Sequence, residues 1–508
     1  MKMKMEILKG VIILTILMGF FLLPALSVRA QQKSPNIILL MAEDISNDFG
    51  CYGMPGVKTP NIDKLAKNGI KYTRCYSTSP ICSPNRSAMM VGVHQSKINA
   101  QHHRGNQELP LVEPYRPFTY WLRKKGYTTI LGNDNVFHNG RKVDVNFKHQ
   151  AIGSWDTLGG SGLFDKNDSL LKKDQPFFAQ IQLKVTHRGD WWEEIRAKSV
   201  SPVAISSVSL PPYLSNNLLI RKDWAMYLDQ IEYIDTEIGH LIAQLKSKNL
   251  YDNTIIIFVG DNGRSNIRGK GYLYEPGIKV PLIISGIDRI PSGQIMDGLV
   301  STIDLPATIL DLAGIEIPDY MDGHSVFASD YNRDYVYSSR DVWDEILDKS
   351  RSITGKRFKY IRNYMPEVPY DAHQAYLEFH RPALHVMRKE LLDGQLTEVQ
   401  EQFFSSEKPV EELYDLNEDP YELKNLAAEQ SFEDTLNNLR QILQSEEKYN
   451  STKEIYDPSK VFSLEVMEFV KYKYPKDYVR LLSGEHIGYT KYAEELKTIY
   501  GKQQKKQR

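Results

Sequence analysis

The chain has 508 residues, with 63 Lys and Arg against 64 Asp and Glu and a formal net charge of −1. Acids and bases are interspersed, which excludes the broad basic field of a nucleic-acid binder, and the length allows one large core plus a smaller lobe. Three cysteines, Cys51, Cys75 and Cys82, are too few for a disulfide scaffold, and their odd number leaves at least one unpaired.

Residues 1–30 have the order of an export signal: Lys2, Lys4 and Lys9, an apolar stretch over 11–23, then Val28-Arg29-Ala30 as a small-residue cleavage site. Pro24 and Arg29 break the apolar run before the roughly 20 residues a spanning helix needs. The mature protein is expected to start near Gln31, in the periplasm or outside the cell. No later segment is long and apolar enough to span a bilayer, so no membrane contact is expected after cleavage.

Residues 36–41 form a continuous apolar run that ends abruptly at Glu43-Asp44, as for a strand buried on both faces of a parallel sheet. Similar runs occur at 177–183, 254–259 and 280–284, with amphipathic helical stretches between them, notably 221–246. Strands alternating with helices predict an α/β fold with a large, mostly parallel central sheet flanked by helices. In such sheets the working site lies beyond the carboxyl ends of the strands. Three of those ends carry polar groups: Glu43-Asp44, His187 and Asp261-Asn262.

After Gly314 the pattern changes to short strand-like pieces at 335–338 and 358–361, turn residues and polar helices, with a long insertion at 369–407. This reads as a smaller α+β C-terminal lobe. The expected division is a signal peptide at 1–30, a catalytic domain at 31–328 and the lobe at 329–508. The basic run Lys505-Lys506-Gln507-Arg508 reads as a solvated end.

The sharpest chemical motif is Cys82-Ser83-Pro84-Asn85-Arg86, a Cys-x-Pro-x-Arg core with Gly92 six residues beyond the arginine. With this motif, and over nearly the whole mature chain, the sequence resembles the sulfatase family. The resemblance implies an alkaline-phosphatase-like fold. It also implies that a formylglycine-generating maturation enzyme oxidises Cys82 to formylglycine (3-oxoalanine), whose hydrated aldehyde attacks sulfur with one hydroxyl and expels sulfate with the other. An unmodified hydroxyl is a poor nucleophile at neutral pH.

The resemblance assigns further roles. Glu43, Asp44, Asp261 and Asn262 supply hard oxygen ligands of the kind Ca2+ prefers, and the modified Cys82 completes the shell. Arg86 holds the formylglycine, and Lys270, in Arg268-Gly269-Lys270-Gly271, binds sulfate oxygens. His187, in Val185-Thr186-His187-Arg188, protonates the leaving oxygen. His102-His103-Arg104 looks like the His-rich loop of the heparan N-sulfatase-like branch.

This chain also departs from the family pattern. The family's Asp-Asp is Glu43-Asp44, and its usual lysine and histidine after the Gly-Tyr-x-Thr turn are Asn133 and Asn135. The base is therefore open among His102, His103 and His138. Read without the resemblance, Glu43-Asp44 is a polar turn, Asn262-Gly263 a hairpin signal and Lys270 a solvated loop residue. Arg340, Asp341, Asp344 and Glu345 either overhang the pocket or form ordinary charged surface.

The expected function is sulfate removal from a sulfated polysaccharide or oligosaccharide, either a glycosaminoglycan or an algal polymer such as ulvan. A phosphodiesterase or phosphonate hydrolase on the same fold is one alternative. A lapsed sulfatase that binds glycans is the other.

Overall fold

The apolar run after residue 35 becomes β1 (Asn36–Ala42), buried along its whole length. Its alternation divides the core. Ile38 and Leu40 face one side, with the Pro60–Lys67 and Leu218–Ser247 helices, while Ile37, Leu39 and Met41 face the other, with the Cys82–Val91, Phe118–Lys124 and Asp304–Leu312 helices. A strand buried on both faces has no polar side, which is why its sequence is apolar throughout.

The computed structural model describes residues 34–133, 142–150, 163–165, 175–189, 191–288, 290–344, 346–372, 374, 376–377, 381–451, 468, 471–472 and 475–482. The signal expected at 1–30, Asn135, His138, Glu345 and the basic end at 505–508 lie outside them. Among the described residues, no helix is long and apolar enough to cross a membrane.

The other strands of the large sheet are β2 (Gly69–Tyr76), β3 (Thr128–Gly132), β4 (Phe177–Leu183), β5 (Thr254–Gly260), β6 (Lys279–Ser285) and β7 (Gln294–Ser301). Their order is β3-β4-β1-β5-β6-β2-β7. All run parallel except β6, which is antiparallel to both neighbours. The apolar run at 280–284 is thus a central strand of reversed direction. The chain leaves β5 at the carboxyl edge, loops through 261–278 and re-enters from that same edge.

A second, antiparallel sheet has the order β11-β10-β9-β8, from β8 (Val336–Arg340), β9 (Ser350–Thr354), β10 (Phe358–Asn363) and β11 (Glu411–Asp415). The Glu433–Tyr449 helix packs on it through Leu436, Leu439 and Leu443. The described residues from 35 onward belong to one compact unit. The seam runs along residues 77–78: Ser339 N donates to Thr78 O at 2.8 Å and Ser338 Oγ to Ser77 O at 2.7 Å. Buried Glu412 ties the seam further, accepting from Tyr274, Tyr370 and Tyr414 hydroxyls at 2.6–2.7 Å. The second sheet is thereby set beside the segment that leads into Cys82.

Candidate active site

Strand register brings the first group together. Ala42 pairs with Gly260 across β1 and β5, so the residues that follow are neighbours. Asp44 N donates to Asp261 Oδ1 at 3.0 Å, and Asn262 Nδ2 donates to Asp44 Oδ1 at 3.0 Å. Asn262-Gly263 opens no hairpin. A side chain at Gly263 would meet Pro276 O at 2.0 Å, so glycine is required there for close backbone approach.

Cys82 is the first residue of a helix whose ten residues are all buried. Its Sγ thus sits at the positive end of the helix dipole. One turn on, Arg86 donates Nε to Asp261 Oδ2 at 2.9 Å, brings Nη2 to 3.4 Å from Glu43 Oε1 and gives Nη1 to Gln182 at 2.9 Å. Lys270 Nζ lies 2.6 Å from Asp44 Oδ1. Its neighbour Gly271 has φ of 92°, and a Cβ there would collide with Trp343, so this glycine lets the loop press Lys270 inward. His187 follows β4 and brings Nε2 to 4.0 Å from Asp44 Oδ2.

The acids are buried, and their charges answer the cations around them. Burial opposes ionisation of Asp44, but Lys270 and His187 hold it well below the usual carboxylate range. Glu43 is lowered in the same way, with Lys142 and Arg86 overcoming burial. For Asp261 burial prevails over Arg86 and the carboxyl is raised. His187 is pushed down to about 4, by burial before anything else, with Asp44 opposing.

Glu43 Oε1, Asp44 Oδ2 and Asn262 Oδ1 are buried and accept no hydrogen bond. Buried acceptors are ordinarily satisfied. Two acidic oxygens and an amide oxygen, without hydrogen bonds where β1 and β5 end, are of the donor type that a hard divalent cation such as Ca2+ takes, so the chemistry of these residues fits the expected metal.

The second group comes from loops. His103 Nε2 lies 3.4 Å from Cys82 Sγ, and its Nδ1 is 2.6 Å from Asp344 Oδ1. Gln374 Nε2 donates to the other Asp344 oxygen at 2.6 Å. Burial disfavours a charged His103 ring, but Asp344 and the Cys82 thiol raise it to about 9. Of the two adjacent histidines, His103 faces the cysteine. His102 is buried, and its backbone carbonyl accepts from Asn146 at 2.6 Å. Asp344 overhangs the site, whereas Arg340 pairs with Asp348 and Asp341 with Arg351.

Lys142 and Asp144 carried no signal in the sequence. Lys142 Nζ lies 2.7 Å from Glu43 Oε2 and 3.4 Å from Asp144, which also takes Arg104 Nε at 3.1 Å. Ligand atoms of Cys82, His103 and Asp144 lie within 4.8 Å of one another. Asp44, Arg104, Asp144 and Asp344 have φ of 48–54°, a left-handed conformation that costs non-glycine residues energy and clusters at functional sites. Cys51 and Cys75 are free thiols.

A buried cysteine ringed by oxygens, cations and an oriented histidine can be compared with known proteins. A family model described as Sulfatase matches residues 35–315, and one described as N-sulphoglucosamine sulphohydrolase, C-terminal, matches residues 263–374. An ulvan-active sulfatase of Formosa agariphila is 32% identical, over 81% of this chain and 74% of that protein. The human N-sulphoglucosamine sulphohydrolase is 24% identical over 80% of this chain and 88% of its own length. Among solved structures, that of BT4656 in complex with its substrate D-glucosamine-2-N,6-O-disulfate shares the fold. It has a TM-score of 0.56 and 18% identity, over 82% of this chain and 98% of that one. The expected alkaline-phosphatase-like α/β architecture is the one observed, and the chain belongs to the sulfatase family of sulfuric ester hydrolases.

Proposed function

We propose that this protein is an exported sulfatase that removes sulfate from a sulfated polysaccharide, using a formylglycine made from Cys82 by a maturation enzyme together with Ca2+. The three open buried oxygens beside the helix that begins at Cys82 carry this reading. The order of residues 1–30 supports export to the periplasm or beyond. We take residues 31–328 as the catalytic domain and 329–508 as the lobe that closes over it. The ulvan-active relative makes ulvan oligosaccharides the first substrates to test.

Glu43, Asp44, Asp261 and Asn262 would hold Ca2+, which supplies positive charge for the sulfate oxygens. Formylglycine at position 82 would supply the hydroxyl nucleophile, and in this structure Cys82 Sγ stands in for its oxygens. Arg86 fixes that group from the next helical turn while bracing Asp261. Lys270 and Lys142 sit where negative charge develops, and preorganised cations of this kind are worth most in a dry site.

Once formylglycine replaces the thiol, the part of the rise at His103 that comes from Cys82 is lost, and the neutral form of His103 takes the proton from the position-82 hydroxyl. Asp344 orients it through Nδ1, in the geometry of a nucleophile, a base and an orienting carboxylate. Lys142 and His103 thus supply the two chemistries that Asn133 and Asn135 lack. His187 delivers a proton to the leaving oxygen. A sulfate monoanion arriving beside its ring favours the protonated form over the free-state value.

The test is free sulfate release from ulvan and glycosaminoglycan oligosaccharides by protein matured with a formylglycine-generating partner. Cys82→Ala should lose about 10^4-fold or more in rate, since removing a nucleophile removes the covalent route. Undiminished release by Cys82→Ala would end this reading.

A further inference from the structure

A cleft of about 670 Å3 lies between the loop after β4, the Trp191–Lys198 helix, residues 199–201 and the Leu218–Ser247 helix. This is within the range of about 300–1,000 Å3 typical of ligand pockets. Trp191 and Tyr233 line it with 38% and 42% of their surface open. Trp191 is pinned by its polar edge, Nε1 donating to Val185 O at 2.9 Å. Two partly open aromatic rings lining one cleft offer flat apolar faces of the kind that stack on the C–H faces of sugar rings.

The charges of the cleft point the same way. Its acids are engaged: Asp229 by Arg196 at 2.5 Å and Val203 N at 2.7 Å, Glu232 by Lys58 N at 2.9 Å and Glu194 by Lys198 at 2.5 Å. Lys58 Nζ rests on Ser201 Oγ at 3.2 Å. Among the described residues, neither Lys58 nor Lys184 has a carboxylate partner for its ammonium. The cleft therefore offers two aromatic faces and two lysines, Lys58 and Lys184, whose ammonium groups are not in an ion pair with a carboxylate among the described residues, although Glu232 lies within reach of the Lys58 charge.

The wall of the cleft is joined to the candidate active site through the backbone turn after β4. His187 N donates to Lys184 O at 3.0 Å, so Lys184 and Val185 in the cleft wall share one tight turn with His187. Trp192 Nε1 bonds both Val185 O and His187 O at 3.0 Å, tying the turn to the helix that carries Trp191.

We propose that this cleft binds the sugar rings flanking the sulfated unit at Cys82. Trp191 and Tyr233 stack on the rings, and Lys58 and Lys184 pair with sulfate or carboxylate groups farther along the same chain. The proposal rests on the glycan reading above and adds to it a preference for long substrates.

The test is calorimetric binding of ulvan-derived disaccharide and octasaccharide to the full chain carrying Cys82→Ala, which holds substrate without turnover. The octasaccharide should bind about tenfold tighter, as added contacts worth about 1.4 kcal/mol imply. Trp191→Ala and Tyr233→Ala should each erase that advantage, while Trp191→Phe, which keeps a ring, retains most of it. Lys184→Gln should weaken the salt dependence of octasaccharide binding. Equal affinity of the alanine variants and the parent for the octasaccharide, at matched melting temperatures, would overturn the cleft. So would a parent that binds both lengths alike, and in either case sulfate release by the Cys82 protein would leave the catalytic reading standing. Binding of neither oligosaccharide, together with no sulfate release, would overturn the cleft and the glycan reading together.

Discussion

Glu43, Asp44, Asp261 and Asn262 stand at the ends of two adjacent strands, whereas His103, Lys142, Asp144 and Asp344 reach the same cysteine from three loops. The strand-end group is placed by hydrogen-bond register alone, because once Ala42 pairs with Gly260 the acids beyond them must meet. The loop group depends on long-range docking. His103 N bonds Val342 O at 2.9 Å, so His103 and Asp344 meet only because the second sheet is seated against residues 77–78. One half of the site is thus set by the core, and the other by how the lobe sits on it.

The strand-end half should lose two properties at once. Asp44→Ala should lower turnover about 10^3-fold, since metal-derived charge stabilisation is worth several kcal/mol. It should also abolish the rise in melting temperature that Ca2+ gives the parent, because a ligand that binds only the folded state stabilises it. Chelation of the parent should reproduce both losses. A Ca2+-induced shift that survives in Asp44→Ala would move the metal away from the strand ends.

The loop half should respond differently. His103→Ala should cost about 10^3-fold in turnover, within the range for a general base, while keeping the Ca2+-induced thermal shift. Asp344→Asn should cost about tenfold to a hundredfold, because the ring loses its orienting carboxylate but keeps a polar neighbour. If His103→Ala instead removed the thermal shift and left turnover intact, the two halves would have exchanged roles. Lys142→Met comes next, with a loss of about 10^2-fold and weaker inhibition by free sulfate. Unchanged sulfate inhibition would restrict Lys142 to neutralising Glu43.

The same contrast explains what could be read from the sequence. The apolar runs before Glu43 and Asp261 mark β1 and β5 because strands buried on both faces have no polar positions. Once the strands are placed, the acids beyond them are legible without the family resemblance. β2 and β7 were not legible in this way. Gly69–Tyr76 alternates apolar with Lys71, Thr73 and Arg74, and the first half of Gln294–Ser301 is exposed, so neither gives a continuous apolar run.

His103 was visible as one of a pair, but the choice between it and His102 depends on loop conformation, which local sequence does not encode. Asp344 stood among four charged residues with nothing to distinguish it. Its significance comes from a contact across 241 positions of chain. Lys142 lies beyond the segment where Asn133 stands, and no motif marks it; its place is set by the ion pair with Glu43, 99 positions away.

The smallest effect tests the seam that supports the loop half. His94 is buried at the start of the loop leading to His103, caps the next turn by accepting Ser96 N at 3.3 Å and packs its ring 4.6 Å from Tyr337 of β8. Burial first, then Arg351 and Lys97, hold its pKa well below the usual 6.5. The ring is therefore neutral in the folded protein but takes up a proton in the unfolded chain once pH falls below about 6.5. Protons bound preferentially by the unfolded state make stability rise with pH, so acidification from pH 7 to 5 should remove about 2 kcal/mol through this group. His94→Asn keeps a capping acceptor and has nothing to titrate. Denaturant midpoints of parent and variant should therefore converge as pH falls to 5, while groups common to both, His187 among them, cancel in the difference. A gap between the two proteins that does not change with pH would mean that the seam tolerates a charged His94, and that the loop half is held more loosely than its contacts with β8 imply.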